Sequence, residues 1–588
     1  MTKALERVHF SSAQIIIAGF ATVILLGAAL LTLPFASREA GSANFSDALF
    51  TATSAVCVTG LVVHDTALHW SEFGQFVILL LIQIGGMGVV TVAVAITMIS
   101  GRKISLMQRS TMQEAISAHH VGGVVRLTGF IVRTSFLIEL LGAGLLAFVF
   151  VPEFGVGQGA WYAIFHSVSA FCNAGFDLMG VRAPYSSLTA YAASPVVCLT
   201  IAGLIVVGGI GFLTWEDVRT HGVHLRSYRL QSKVILCVTF GLIALPAIYF
   251  YVFELPQTLP VGERVLSALF QSITPRTAGF NTVDLNALSE VGQMVLVMLM
   301  LIGGSPGSTA GGMKTTTLAV LLFSAAAVFS RREEPRCFGR RIDAEALRNA
   351  AAILLLYLSL FLLGGLAISA MEDLPVVDCL FEAASAIGTV GLSLGLTPGL
   401  GQPSRAILIA LMFFGTLIPN VTIGNVSISI GGAVIPFGVC VYLLARAGTA
   451  KERVRAILGS LITAGIIYAL SHFLPDEPER MLIDPMYLYG LAGGVVAYVL
   501  GRSRRGAFFC GVVGVMLADI AVAVVNWSQG VDQPLVLGGA GVFDAMIISG
   551  ILGVLLSELV GEVLERMTRG TQRPRESAIE NPVRQKEK

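Results

Sequence analysis

A ten-residue segment recurs four times along this chain, and every copy stands between long apolar runs. The copies span 52–61, 167–176, 271–280 and 383–392, and each closes on a glycine followed by Leu or Phe: Gly60-Leu61, Gly175-Phe176, Gly279-Phe280 and Gly391-Leu392. A phenylalanine precedes each glycine by nine or ten residues (Phe50, Phe165, Phe270, Phe381). The glycines lie 115, 104 and 112 residues apart, so one unit of about 110 residues is repeated. Non-helical backbone survives at membrane depth only where protein buries it or where it lines a watery cavity. A short helix ending in a glycine turn between two spans therefore reads as a re-entrant loop. Four such turns around one axis would form a ring of carbonyls, the device that replaces an ion's hydration shell. The segments thus point to an ion pathway. The competing reading is four glycines that only cap four buried helices.

Composition agrees with a membrane setting. The 588 residues are 55% hydrophobic and 13% charged, with mean hydropathy +0.79, which describes an all-α polytopic membrane protein. The net charge of +1 gives no electrostatic case for a nucleic-acid partner. Eight scattered cysteines lack metal spacing and read as small core residues. Apolar runs predict spans near 13–33, 73–99, 127–150, 192–214, 233–253, 291–329, 350–370 and 405–445. The expected architecture is four membrane–pore-loop–membrane repeats around one pore: 11–100, 101–232, 233–348 and 349–455. Basic residues concentrate in 100–126, in 215–233 and in 331–348, the last with six arginines, while 151–160 and 371–378 have no Lys or Arg. By the positive-inside rule the N-terminus is cytoplasmic and the re-entrant loops enter from outside.

The span at 291–329 is too long for one straight crossing. Its middle holds Gly303, Gly304, Ser305, Pro306, Gly307, Gly311, Gly312 and Lys314, a composition that a lipid-facing helix cannot accept. A break there would place irregular backbone beneath the third loop, as a gate or as a kink between packed helices. Lys314 must face water or a partner.

Three stretches together, Val56-Cys57-Val58-Thr59-Gly60-Leu61, Arg276-Thr277-Ala278-Gly279-Phe280-Asn281-Thr282 and Gly303-Gly304-Ser305-Pro306-Gly307-Ser308-Thr309-Ala310-Gly311-Gly312, resemble the Trk/Ktr/HKT superfamily. The likeness is closest to its bacterial Ktr-type membrane subunits and covers roughly residues 10–415. The resemblance implies potassium uptake across the plasma membrane through a pore built within one chain. It further implies a homodimer in membrane lipid, an intramembrane gating loop, and a cytosolic nucleotide-binding regulatory subunit. Filter carbonyls carried over from the family fall on Val58, Thr59 and Gly60; Asn173, Ala174 and Gly175; Thr277, Ala278 and Gly279; Thr389, Val390 and Gly391. Glycine in all four loops matches the family's potassium-selective pattern, since a serine in the first loop goes with sodium transport in some plant members. Variable neighbours at 59, 174, 278 and 390 fit main-chain coordination.

Other residues have weaker signals. Arg276 is expected to brace the loops by pairing with a carboxylate such as Glu382, because an unpaired buried arginine is expensive. His64, Asp65, Asp177 and Asp284 follow the glycine segments and form either an anionic outer mouth or ordinary solvated loops. After Phe414 the chain departs from the family, whose members carry an arginine after a glycine on the last span; here Gly415 precedes Thr416. Further spans are expected near 456–474, 485–501, 507–526 and 538–559, with a basic tail over 566–588. These four extra helices form an additional module over 456–565, whose junction with the pore lies near 415–420. Stretches 420–444 and 538–544 resemble an uncharacterised prokaryotic membrane family. Asp519 and Asp544 lie within apolar runs.

A cation secondary transporter, sodium-coupled or carrying sodium, is the alternative, but the four units share one orientation rather than the inverted arrangement that class favours. An enzyme is not expected: no zinc His/Glu motif, nucleophile elbow or P-loop occurs.

Overall fold

The protein is known as a computed structural model that describes residues 12–38, 43–99, 124–332 and 334–417, then 426–428, 450–473, 504–528 and 535–537, with isolated positions elsewhere. It divides into two compact units, Met1–Thr422 and Ile423–Lys588.

In the first unit the helices follow one plan. Helix α1 (Ser12–Leu31) leads to a short α2 (Phe45–Val56), then α3 (Glu72–Met87) and α4 (Val89–Ile99). Helix α5 (Val124–Phe154) leads to short α6 (Val156–Phe171), α7 (Pro195–Gly209) and α8 (Phe212–His221). Helix α9 (Leu230–Tyr249) precedes short α10 (Val261–Ile273), α11 (Glu290–Met300) and α12 (Thr315–Phe329). A hairpin of β1 (Arg336–Cys337) and β2 (Arg340–Arg341) then leads to α13 (Ala344–Glu372), short α14 (Val376–Ile387) and α15 (Gln402–Leu417). Among the described residues, three helices are long and apolar enough to cross a membrane, and two bent pairs bring the number to five.

The bent pairs correct two sequence expectations. Residues 73–99 and 192–214 read as single spans, yet α3 and α4 meet at 94° and α7 and α8 at 97°. The cause lies in Gly85-Gly86-Met87-Gly88 and Gly208-Gly209-Ile210-Gly211. Gly88 and Gly211 hold φ values of 83° and 92°, where a side chain is strained and glycine is not. The remainder of the expected 405–445 span, beyond Leu417, lies outside the described residues apart from Val426–Ile428 and Cys440.

Serines start two of the helices that follow the loops. Ser71 Oγ accepts from the Gly74 amide at 3.2 Å and Ser289 Oγ from the Gly292 amide at 3.0 Å. Glu72 and Glu290 stand in the first turns, where the helix dipole favours a negative charge. Farther along, the same helices need small residues. A methyl group on Gly85 would lie 2.1 Å from the Val56 carbonyl oxygen, one on Gly208 2.1 Å from that of Phe171, and one on Gly415 2.0 Å from that of Ile387. Three short helices thus end against a glycine of the next helix. Phe50, Phe165, Phe270 and Phe381 are all fully buried around these ends.

The second unit pairs β3 (Val426–Ile428) with β4 (Leu535–Leu537) in parallel, with Val426 opposite Leu535. Helices α16 (Ala450–Phe473) and α17 (Arg504–Ser528) overlap the stretches 456–474 and 507–526, and Asp519 lies on α17. Most of the expected spans at 485–501 and 538–559, with Asp544 and the basic tail, fall outside the described residues.

Because Gly208 meets a backbone carbonyl that cannot move aside, Gly208→Val should overpack the α6–α7 contact and cost at least about 1–3 kcal/mol. Thermal unfolding of the purified protein in detergent should show a lowered midpoint; an unchanged midpoint would contradict this packing.

Candidate functional site

Each short helix ends in a turn with two left-handed residues. Val58, Asn173, Thr277 and Thr389 hold φ between 51° and 64°, and two residues later Gly60, Gly175, Gly279 and Gly391 hold φ between 69° and 94°. Four non-glycine residues at positive φ in matching positions carry a real cost, so the surrounding structure must impose them.

A hydroxyl four residues after each buried phenylalanine supplies part of that constraint. The Gly60 amide donates to Ser54 Oγ and the Gly391 amide to Ser385 Oγ, both at 3.0 Å. Ser169 Oγ donates to the Phe176 carbonyl at 2.7 Å, and Thr274 Oγ1 donates to the Phe280 carbonyl. The carbonyls of the same four residues also accept turn amides: Thr59, Ala174 and Val390 at 2.8 Å, and Ala278 at 3.0 Å. Sequence reasoning missed Ser54, Ser169, Thr274 and Ser385. The Phe-x-x-x-Ser/Thr spacing was the available signal, hidden because the third copy is one residue shorter between its hydroxyl and its glycine.

The turns close on one another. A methyl group on Gly60 would meet the Ala174 carbonyl oxygen at 2.5 Å, and one on Gly175 that of Ala278 at 2.7 Å. On Gly279 it would meet Val390 at 2.3 Å, and on Gly391 it would meet Thr59 at 2.2 Å. The contacts run first to second, second to third, third to fourth and fourth to first. All twelve residues named from the sequence for this region therefore lie in or beside one ring. The Asn173 amide bridges two turns: oriented to donate to the Ala170 and Ile205 carbonyls at 3.1 and 3.2 Å, it accepts from Thr277 Oγ1 at 3.3 Å.

On one side of the ring is a cavity of about 400 Å³, lined by the four glycines with Asp65, Asp177 and Asp284. Each carboxylate also accepts loop amides, Asp65 from Tyr185 at 2.8 Å, Asp177 from Met179 at 2.9 Å and Asp284 from Asn286 at 3.0 Å. His64 does not join them. Its Nε2 is 3.1 Å from Asp47, which also accepts from Arg405 at 2.8 Å, tying α2 to α15.

In two of the four copies the residue after the buried phenylalanine braces its own loop, by different chemistry. Glu382 accepts from Ser393 Oγ and Thr397 Oγ1, both at 2.6 Å, and from the Leu394 amide at 3.0 Å. His166 accepts from the Leu178 amide at 3.3 Å. The expected Arg276–Glu382 pair does not form. Glu382 is filled by its own loop, and among the described residues the buried Arg276 side chain reaches only Thr239 Oγ1, at 3.5 Å.

Opposite the acidic cavity lies the glycine-rich segment between α11 and α12. The Gly303 amide donates to the Met313 carbonyl at 2.8 Å and the Gly304 amide to that of Gly311 at 3.2 Å, so the segment folds back as a loop. It is tied to the bend between α7 and α8: the Ser305 amide donates to the Gly209 carbonyl at 3.0 Å, and the Phe212 amide donates to that of Gly307 at 2.7 Å. Thr309 Oγ1 donates to the Phe171 carbonyl at 2.9 Å, at the end of α6. A methyl group on Gly311 would sit 2.1 Å from Thr389 Oγ1, so this loop lies directly against the fourth turn. Lys314 is buried, and its Nζ donates to the Ala310 carbonyl at 2.9 Å. Lys314, Gly307, Gly311, Val58 and Thr416 line a cavity of about 80 Å³.

Fold and turns define a helical membrane protein centred on a closed ring of four glycine turns with a looped segment against one side. Residues 6–419 match the TrkH family, described as cation transport protein, and the chain belongs to that family. Residues 403–556 match a second family described as a protein of unknown function, DUF1614. Among similar proteins, "Potassium/sodium uptake protein NtpJ" of Enterococcus hirae is 42% identical, over 70% of this chain and 91% of its own. "Ktr system potassium uptake protein B" of Bacillus subtilis is 38% identical, over 71% and 93%. The crystal structure of the potassium transporter TrkH from Vibrio parahaemolyticus shares the fold, with TM-score 0.56 at 19% identity over 70% of this chain and 84% of that one.

Thr309 joins the looped segment to α6 through one buried hydrogen bond, a link of about 1 kcal/mol. Thr309→Val should loosen it and raise cation flux into liposomes above wild type; unchanged flux would show that the bond does not restrain passage.

Proposed function

We propose that this chain takes up potassium through a channel-like pore whose selectivity filter is the ring of four glycine turns. The observation that carries the reading is the cyclic contact of each glycine with the next turn's carbonyl. Alternating left-handed and ordinary backbone over 58–60, 173–175, 277–279 and 389–391 lets successive peptide groups face one axis. Ion dehydration is then matched by carbonyl oxygens rather than by charged side chains. The short helices add their negative ends, since α2, α6, α10 and α14 all terminate at the ring. Potassium is the cargo that the relatives' names favour.

The acidic cavity is the entrance, where Asp65, Asp177 and Asp284 raise the local cation concentration. The looped segment is the gate. Lys314 is the fixed positive charge beneath the filter, and Gly303, Gly304, Gly307, Gly311 and Gly312, with Ser305 and Pro306, give its backbone the freedom to rearrange. Thr416 lines the same cavity as Lys314 in the place of the family arginine, so the latch between the last span and the gate is weaker here. The N-terminus is cytoplasmic and the entrance extracellular. The lettered Ktr system names support a separate regulatory subunit on the cytoplasmic face, of the nucleotide-binding kind the resemblance implies, acting on a homodimer. Sodium enters as a second reading, because one relative's name couples potassium with sodium. No step calls for an enzyme's chemistry.

Rubidium flux into liposomes holding the purified chain, competed by potassium and by sodium, tests the reading. Wild type should be blocked by potassium far better than by sodium. In Gly60→Ser the added side chain meets Ala174 and should let sodium compete; an unchanged ion preference would remove Gly60 from the filter.

A further inference from the structure

The chain segment that leaves the looped region ends in an unusual hairpin. Helix α12 starts immediately after Lys314, and its last residues, Val328 and Phe329, are 72% and 88% exposed. In a membrane protein, side chains this apolar and this bare belong in hydrocarbon. Two residues later the chain turns at Arg331, with φ 52°, and the Arg332 amide donates back to the Ala327 carbonyl at 2.9 Å. The hairpin that follows therefore starts at headgroup depth, where arginine places its charge outward and its stem inward. Residues 331–341 contain five arginines and two glutamates.

Two features of the hairpin cost stability. Its tip, Phe338-Gly339, has φ 47° and 79°, a two-residue turn for which Asn-Gly is favoured. Phenylalanine in the first place strains the backbone, and its ring is 58% exposed. Across the strands Arg336 stands opposite Arg341, and like charges in that register repel. Arg341 is paired with Glu334 at 2.7 Å, while Arg336 and Arg340 form no ion pair among the described residues. The hairpin is nonetheless firmly seated. Cys337 points inward and is buried with Val234 of α9 and Ala319 of α12, with Phe323 and Ile342 packed against them.

We propose that the Arg336–Arg341 hairpin is a docking site for the anionic phospholipid headgroups of the adjacent leaflet. Arg336 and Arg340 meet the phosphates, which removes the repulsion between the strands. Phe338 enters the acyl boundary below the headgroups, which offsets the strain at the tip. An acidic face on a soluble protein would satisfy the arginines but would leave the exposed Phe338 ring beside them without an apolar partner. A lipid leaflet satisfies both. The docking goes beyond the potassium reading and does not depend on which ion is carried.

The test uses the full chain in vesicles of phosphatidylcholine and phosphatidylglycerol at one composition, with bromine on the acyl chains of one lipid at a time. Phe338→Trp adds emission above that of wild type. Bromine on phosphatidylglycerol should quench this added emission more strongly than bromine on phosphatidylcholine. Adding R336Q, R340Q and R341Q should abolish that difference, whereas R336K, R340K and R341K should keep it. Equal quenching by the two lipids, no quenching, or a preference that survives the glutamine substitutions would each overturn the proposal, with no quenching leaving the hairpin to a soluble acidic partner. The reading is independent of flux, so its failure and a failure of the potassium reading are told apart.

Discussion

Backbone packed on backbone governs this molecule. Around the ring, the Cα of each loop glycine takes the space beside the next loop's carbonyl, at distances that leave no room for a methyl group. These contacts are backbone on backbone, with one side-chain bridge from Asn173 to Thr277 beside them, so the geometry of the opening is set chiefly by peptide groups held from behind. The restraint comes from hydroxyls four residues after buried phenylalanines and from helix ends pressed on Gly85, Gly208 and Gly415. Such packing deforms little, because close-packed interiors have discrete rather than graded arrangements. A rigid ring of this kind suits discrimination between ions that differ mainly in size and hydration.

Against that rigid ring lies a segment of opposite character. The loop 303–314 is held by backbone bonds to Gly208, Gly209 and Phe212, by Thr309 on the end of α6, and by Lys314 on the Ala310 carbonyl. Each link is a single hydrogen bond worth about 1 kcal/mol, and most of the segment is buried, so the links between it and its neighbours break together if it rearranges. The contact of Gly311 with Thr389 means that any movement is felt at the fourth turn.

Much of this was legible before any coordinates. Repetition of glycine and phenylalanine located the four turns, and the composition of 303–312 located the irregular segment, because a glycine cluster with a proline contradicts an apolar helix. The bends at Gly88 and Gly211 were not read, although Gly-Gly-x-Gly occurs in both places. Hydrophobic periodicity continues across a bend and conceals it. The bracing hydroxyls were obscured by the one-residue shift in the third copy. Arg276 and Glu382 were paired on charge alone, whereas Glu382 is saturated by Ser393, Leu394 and Thr397 of its own loop. Sequence shows which charges are costly to bury but not which neutral donors are nearer.

The proposed pore places cations on the axis of the glycine ring, coordinated by main-chain oxygens. Anomalous X-ray diffraction from crystals of the chain soaked in thallium or rubidium salt measures this directly. Anomalous peaks are expected on the axis between the carbonyls of residues 58–60, 173–175, 277–279 and 389–391, weakened by excess potassium and not by excess sodium. Peaks confined to the carboxylates of Asp65, Asp177 and Asp284, with none inside the ring, would contradict it.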